Sequence, residues 1–399
     1  MRFAVLRGAA SAGYCALHIH AGTRDEGEFH EGIAHFTEHT LFRGTSRHGA
    51  SYIASCLDRL GGELNAYTTK EEIVLHATVL KEDLRKAASL LLELALEPAF
   101  PETEVETERG VVIDEIISYR DNPQEEIYDN FESRLFPGHP LGRNILGSPE
   151  SVTEITPDEL RAFTGRYFVP ENMVLTLVAN YDEDYLVRLV EKVAGSTVTG
   201  SGPVPVKSRS DEAIRPLTPF NVQKDCGNNE VNVVIGSRAP SLYGGQERIA
   251  TALLASILGG PAANSRLGKI LREKNGWVYG VECGYTQYRG NGVVAITFGC
   301  DAPNLKKCLR ATFRVLSNIQ DKPLTDAALA ADKRQALGQM AIASDSAEAQ
   351  CLSMGKSIQS FGRVIPLEES RKMLSSVTSQ QLQAAAKAIF SEPSVLIYL

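Results

Sequence analysis

The chain has 399 residues, 43% of them hydrophobic, and a formal net charge of -8. That length buries substantial cores in two or three domains, and mild acidity without a basic stripe excludes a general nucleic-acid binder. Seven scattered cysteines without a C-x-x-C pair exclude a disulfide framework and a thiolate zinc site.

Met1 to Arg7 is too short an apolar run for a signal peptide, and no segment reaches the length of a membrane span, so a cytoplasmic protein with no membrane partner is expected. Cys15 to His20 reads as a strand. A helix follows within Glu31 to Phe42, with Ile33, Ala34, Phe36, Leu41 and Phe42 as its apolar positions. It contains His35-Phe36-Thr37-Glu38-His39, the pattern H-x-x-E-H. Side chains at i, i+3 and i+4 leave one face of a helix, so His35 and His39 can hold one metal ion with Glu38 beside it. A catalytic zinc needs three protein ligands, an open position for water and a base for that water's proton. Buried imidazoles and a carboxylate on an apolar helix also need partners, which a metal would supply.

Leu64 to Tyr67 and Ile73 to Val79 read as strands, and Lys81 to Leu96 as a helix. The next helix, from about Glu102 to Tyr119, draws its apolar content from Val105, Val111, Val112, Ile113, Ile116 and Ile117. It carries Glu108 and Glu115 two turns apart on one face. Either carboxylate could supply the third ligand. Met173 to Leu177 is a further strand, and the Gly/Ser/Pro/Thr-rich stretch after Ala194 reads as a linker. The expected organisation is a zinc-binding domain at 1–195, a linker at 196–217 and a second domain at 218–399.

The second domain repeats the first. Gly32 to Gly44 aligns without gaps on Arg248 to Gly260, after the strands Cys15 to His20 and Val231 to Ile235 respectively. Thr156 to Leu160 and the strand from Met173 are matched by Thr378 to Leu382 and the strand Ser394 to Leu399. Gly292 to Phe298 and Asn304 to Ile319 supply a further strand and helix. The fold class is therefore α+β: two homologous domains from internal duplication, each a mainly antiparallel sheet packed with helices. Where the first copy has His35, Glu38 and His39, the second has Thr251, Leu254 and Ala255. Metal chemistry is thus confined to one copy. The remaining histidines, at 18, 20, 30, 48, 76 and 139, read as structural or solvated.

With H-x-x-E-H and Glu108-Arg109-Gly110-Val111-Val112-Ile113-Asp114-Glu115, the chain resembles the pitrilysin, insulysin and mitochondrial processing peptidase family of zinc metallopeptidases along essentially its whole length. The resemblance implies one Zn2+ per chain held by His35, His39 and Glu115, with Glu38 as general base and Glu108 as an accessory carboxylate. His139 to Gly147 is similar to the family's H-P-L-G-R segment, taken as structural. Gly61 to Thr68 resembles the family's edge strand, where Asn65, Ala66 and Tyr67 would hold a peptide by its backbone. Leu271 to Tyr279 resembles its R-x6-Y element, which implies that Arg272 and Tyr279 contact substrate across a closed clamshell chamber. The expected activity is zinc-dependent endopeptidase cleavage of peptides or extended segments, and the expected partner is a second copy completing the site in trans. The family also includes non-catalytic subunits that scaffold or present substrate. Such members typically lose ligands, whereas all four zinc-site residues are present here.

Overall fold

Met173–Ala179 is apolar except for Thr176, and every residue in it is buried. A strand with no polar alternation must be covered on both faces, and the computed structural model, which describes residues 1–195, 214–228 and 230–399, shows how. One sheet consists of β1 (Arg2–Arg7), β2 (Ala12–Ile19), β3 (Glu63–Thr68), β4 (Ile73–Leu80) and β5 (Met173–Ala179), in the order β1-β5-β2-β4-β3. The other consists of β6 (Asn221–Lys224), β7 (Val231–Ala239), β8 (Val278–Gln287), β9 (Gly292–Cys300) and β10 (Ser394–Tyr398), in the order β6-β10-β7-β9-β8. In each sheet the first-named edge pair is parallel and the other pairs are antiparallel. The two sheets have identical topology, as duplication requires. The short strands β1 and β6 have no counterpart in the sequence reading.

Helices α1 (Ile33–Leu41), α2 (Leu84–Leu96), α3 (Glu102–Arg120), α4 (Pro123–Leu135), α5 (Gly245–Gly259), α6 (Leu305–Asp321), α7 (Ala347–Phe361) and α8 (Ser379–Phe390) pack around these sheets. The chain forms two compact units. The first takes in Met1–Ser118, 143–195 and Ile342–Ile365; the second takes in Tyr119–Gly142, 214–341 and Pro366–Leu399. Each unit therefore holds a helix from the other half of the chain. In the first, Leu17, Ile19, Leu75 and Leu175 join α2 in the main core, while Ala16, Val74 and Val178 turn to the opposite face and meet Cys351 and Met354 of α7. In the second, Val233, Ile235 and Ile296 pack with α5, α6 and α8, while Val234, Val293 and Leu396 meet Ile127, Phe131 and Leu135 of α4. Burial of both faces explains why the central strands read as continuous apolar runs.

The expected linker at 196–217 lies, up to 213, outside the described residues. No described cysteine forms a disulfide; six of the seven are buried and Cys226 is half-buried. No described helix is long and apolar enough to cross a membrane.

Candidate metal centre

Helix α1 has nine residues, too few to persist alone in water, so its order must come from its surroundings. Its start is fixed by Glu26, a fully buried carboxyl group whose Oε1 accepts hydrogen bonds from the backbone N–H groups of Gly32 (3.0 Å) and Ala34 (3.3 Å). An acceptor oxygen at a helix N-terminus satisfies otherwise orphaned donors, and burial pushes the Glu26 pKa up to about 8. Gly32 precedes the helix at φ 90°, and a Cβ there would lie 2.7 Å from the Leu146 carbonyl, so only glycine fits. Ile33, Ala34, Phe36 and Leu41 are buried in the first unit's core. The other face carries His35, Glu38 and His39.

Helix α3 supplies the two carboxylates. Val105, Val112 and Ile116 are its buried apolar positions, whereas Val111 and Ile117 are exposed. Its register is also set by Arg109, which donates to the carbonyls of Val152 and Ile155 and lies over the Phe36 ring of α1, 5.4 Å from the centroid. Glu108 is buried and pairs with Arg43 while accepting a hydrogen bond from His39 Nδ1 at 2.8 Å. Glu115, one heptad later and more exposed, places Oε2 3.3 Å from His39 Nε2 and 3.8 Å from His35 Nε2. The two glutamates thus address opposite nitrogens of His39. Glu108 fixes the tautomer, and Glu115 joins the nitrogen that retains its lone pair.

One ligand atom from each of His35, His39 and Glu115 falls within 4.8 Å of the others. No other group of three or more His, Cys, Asp or Glu among the described residues meets that condition. Tetrahedral bonds of about 2.0 to 2.2 Å place neighbouring zinc ligands roughly 3.3 to 3.6 Å apart, near the 3.3 Å and 3.8 Å separations between Glu115 and the two imidazoles. A His2Glu donor set is of the catalytic zinc type, and the histidine bound to a second carboxylate has the orientation common to zinc ligands. His35 is buried, and its Nδ1 has no hydrogen-bond partner among the described residues. Burial, and secondarily His39, pulls its pKa down to about 3, so it is a neutral imidazole able to ligate. Burial also opposes protonation of His39, but the Glu108 hydrogen bond and the charges of Glu38 and Glu115 outweigh it and raise the pKa. For Glu108, burial is overcome by His39 and Arg43, and the carboxyl is held below its ordinary range. Glu38, beside the cluster, is pushed up by burial against the hydrogen bond that Thr68 Oγ1 donates to its Oε2 at 2.6 Å.

Residues 4–149 match the model of insulinase, peptidase family M16, and residues 154–336 match the model of the peptidase M16 inactive domain. An uncharacterized zinc protease of Mycobacterium tuberculosis is 32% identical over 94% of this chain and 84% of its own length. The chain belongs to peptidase family M16. An uncharacterized zinc protease of Bacillus subtilis is 28% identical, covering 95% of this chain and 90% of that relative. Among solved M16-like folds, a protease from Helicobacter pylori superimposes with a TM-score of 0.86 at 19% identity, covering 100% of this chain and 96% of that one. An M16 inactive domain from Pseudomonas fluorescens gives 0.84 at 20%, covering 99% and 94%.

In this M16 chain, Asn65, Ala66 and Tyr67 lie on β3, which among the described residues pairs only with β4 and has its other edge open. Arg272 and Tyr279 belong to the second unit, the first in a π-helical segment Gly268–Lys274 and the second on the edge strand β8. The structure brings these two together, with the guanidinium carbon 5.7 Å from the ring centroid, and leaves the Tyr279 side chain exposed. His139 Nδ1 accepts from the Leu141 backbone N–H, a local loop contact. The sequence reading missed Arg43, Thr68 and Glu26. Arg43 follows His39 by four residues, a helical neighbour spacing that could have marked it as the partner of a buried carboxylate.

Proposed function

We propose that this M16 chain is a zinc-dependent endopeptidase acting on peptides or extended polypeptide segments. The observation that carries this reading is the convergence of His35, His39 and Glu115 within 4.8 Å, with Glu38 alongside. These three residues would hold one zinc ion per chain. When bound, zinc supplies Lewis acidity, polarising a carbonyl and making water easier to deprotonate.

Glu38 takes the proton of the attacking water and delivers it to the leaving amine, and burial raises its pKa, the direction that a base which must later act as an acid requires. Glu108, charged and paired with Arg43, keeps His39 oriented through Nδ1. The open edge of β3 offers backbone hydrogen-bonding groups at Asn65, Ala66 and Tyr67 to an extended substrate. That mode selects for unfolded segments, because only an extended chain can add as a strand. Arg272 and Tyr279 would contact substrate in a chamber completed by a second copy of the chain.

The test is metal analysis of the purified chain with peptide-library cleavage before and after chelation. The expected result is about one zinc per chain and cleavage that chelator abolishes and zinc restores. A zinc-free chain, or cleavage indifferent to chelator, would overturn the reading.

A further inference from the structure

The hydroxyl of Thr68 is the described hydrogen-bond donor to Glu38, and it stands on a rigid mount. Thr68 is the last residue of β3, paired with Ile73, and the hairpin turn that follows is closed by Thr69 N–H to the Glu72 carbonyl at 2.8 Å. The turn is held from outside by the segment before α1. Thr23 and Arg24 donate backbone N–H groups to the carbonyls of Thr69 (3.3 Å) and Lys70 (2.9 Å), and Arg24 pairs with Glu71 at 2.6 Å. This approach requires Gly22, where a Cβ would lie 2.4 Å from the Thr69 carbonyl oxygen. A flexible glutamate side chain is thus tied to a backbone fixed on both sides. The 2.6 Å O–H···O distance lies in the range of a charge-assisted bond to a carboxylate.

The duplicated unit provides a control. Its hairpin has the same register, with Gln287 paired to Gly292 and Tyr288 N–H to the Asn291 carbonyl at 2.8 Å closing the turn. Gln287 occupies the position of Thr68 and accepts from Arg248 at 3.1 Å, while the position of Glu38 is Leu254. The strand-end hydroxyl therefore occurs in the copy that has a carboxylate to orient, and not in the other.

We propose that Thr68 is a positioning residue for Glu38. Its hydroxyl holds Oε2 against the end of the edge strand and leaves Oε1 for proton transfer. This rests on the reading of Glu38 as the base. A carboxylate released from that tether would sample rotamers displaced by an ångström or more, and displacement of that size costs up to about 100-fold in rate.

The experiment compares native chain, Thr68→Val and Thr68→Ser for zinc content, thermal unfolding, kcat and KM on one peptide. Thr68→Val is nearly isosteric and should keep zinc and the melting profile while kcat falls roughly 10- to 100-fold with KM little changed. Thr68→Ser should recover most of the rate. A native kcat in Thr68→Val, equal losses in both variants, or a raised KM with unchanged kcat would overturn the inference. If the valine variant fails to fold, Thr68→Ala carries the same comparison with the serine. A native chain that cleaves nothing overturns the functional reading and this inference with it, whereas an active native chain with an indifferent Thr68→Val overturns the inference alone.

Discussion

Helices α1 and α5 occupy the same place in two copies of one fold. In the first, His35, Glu38 and His39 share the face opposite the core; in the second, Thr251, Leu254 and Ala255 take those positions and are buried. The sheets keep the same strand order and the same sense of pairing. The scaffold therefore tolerates an apolar version of this face, and the polar version is not needed to fold. Buried imidazoles and carboxylates are costly when unpaired, so their retention together in one copy supports the reading of that face as a metal site.

Two substitutions break this difference most directly. His35→Thr installs the second copy's residue in the first. It should abolish stoichiometric zinc binding and peptide cleavage while leaving the fold intact, as metal analysis and a thermal melt would show. Full zinc occupancy in that variant would contradict the ligand role. Glu38→Gln should separate binding from catalysis, retaining zinc while hydrolysis falls roughly 10²- to 10⁴-fold, the usual contribution of a general base. A fully active glutamine variant would remove Glu38 from the mechanism.

Much of this was legible in the sequence because the signals are local. The spacing of His35, Glu38 and His39 needs only helical periodicity, and the repeat needs only alignment of the chain with itself. The choice between Glu108 and Glu115 was not local. Both lie on one face of α3, so spacing left either open and the family resemblance alone named Glu115 as the ligand; in the structure the approach of α3 to α1 sets Glu108 at His39 Nδ1 and Glu115 on the Nε2 side. Placing α4 and α7 was harder still. Each packs on the sheet of the other half of the chain, and the apolar residues that seat them, such as Phe131 and Met354, do not identify which sheet they will meet. The strands β1 and β6 escaped because each is short and at best half-buried, lacking both a clear alternation and a fully apolar run.

The carboxylate behind His39 sharpens the comparison at intermediate scale. Glu108 is buried between His39 and Arg43. Glu108→Gln keeps the shape but weakens the charge-assisted bond to Nδ1 and leaves Arg43 without its anion. Zinc affinity measured by chelator competition should fall roughly 10- to 100-fold, the typical cost of losing such a support. The zinc-saturated variant should still cleave peptide. Unchanged affinity would mean that Arg43 and helix packing alone orient His39.

The smallest predicted effect lies in the copy that lacks the His35, Glu38 and His39 set. Thr251 stands where His35 stands in the first copy, is fully buried, and its hydroxyl has no hydrogen-bond partner among the described residues. An unsatisfied buried hydroxyl carries a desolvation cost, and a methyl group of the same shape does not. Thr251→Val should therefore stabilise the second unit by roughly 1 kcal/mol, seen as a higher denaturant midpoint, with zinc content unchanged. The sign is the informative part. At the corresponding position of α1, removing the polar group should destroy a site; in α5 it should relieve a residual cost. A destabilised Thr251→Val would show that the hydroxyl is satisfied in solution, and that the second face is less apolar than its three residues suggest.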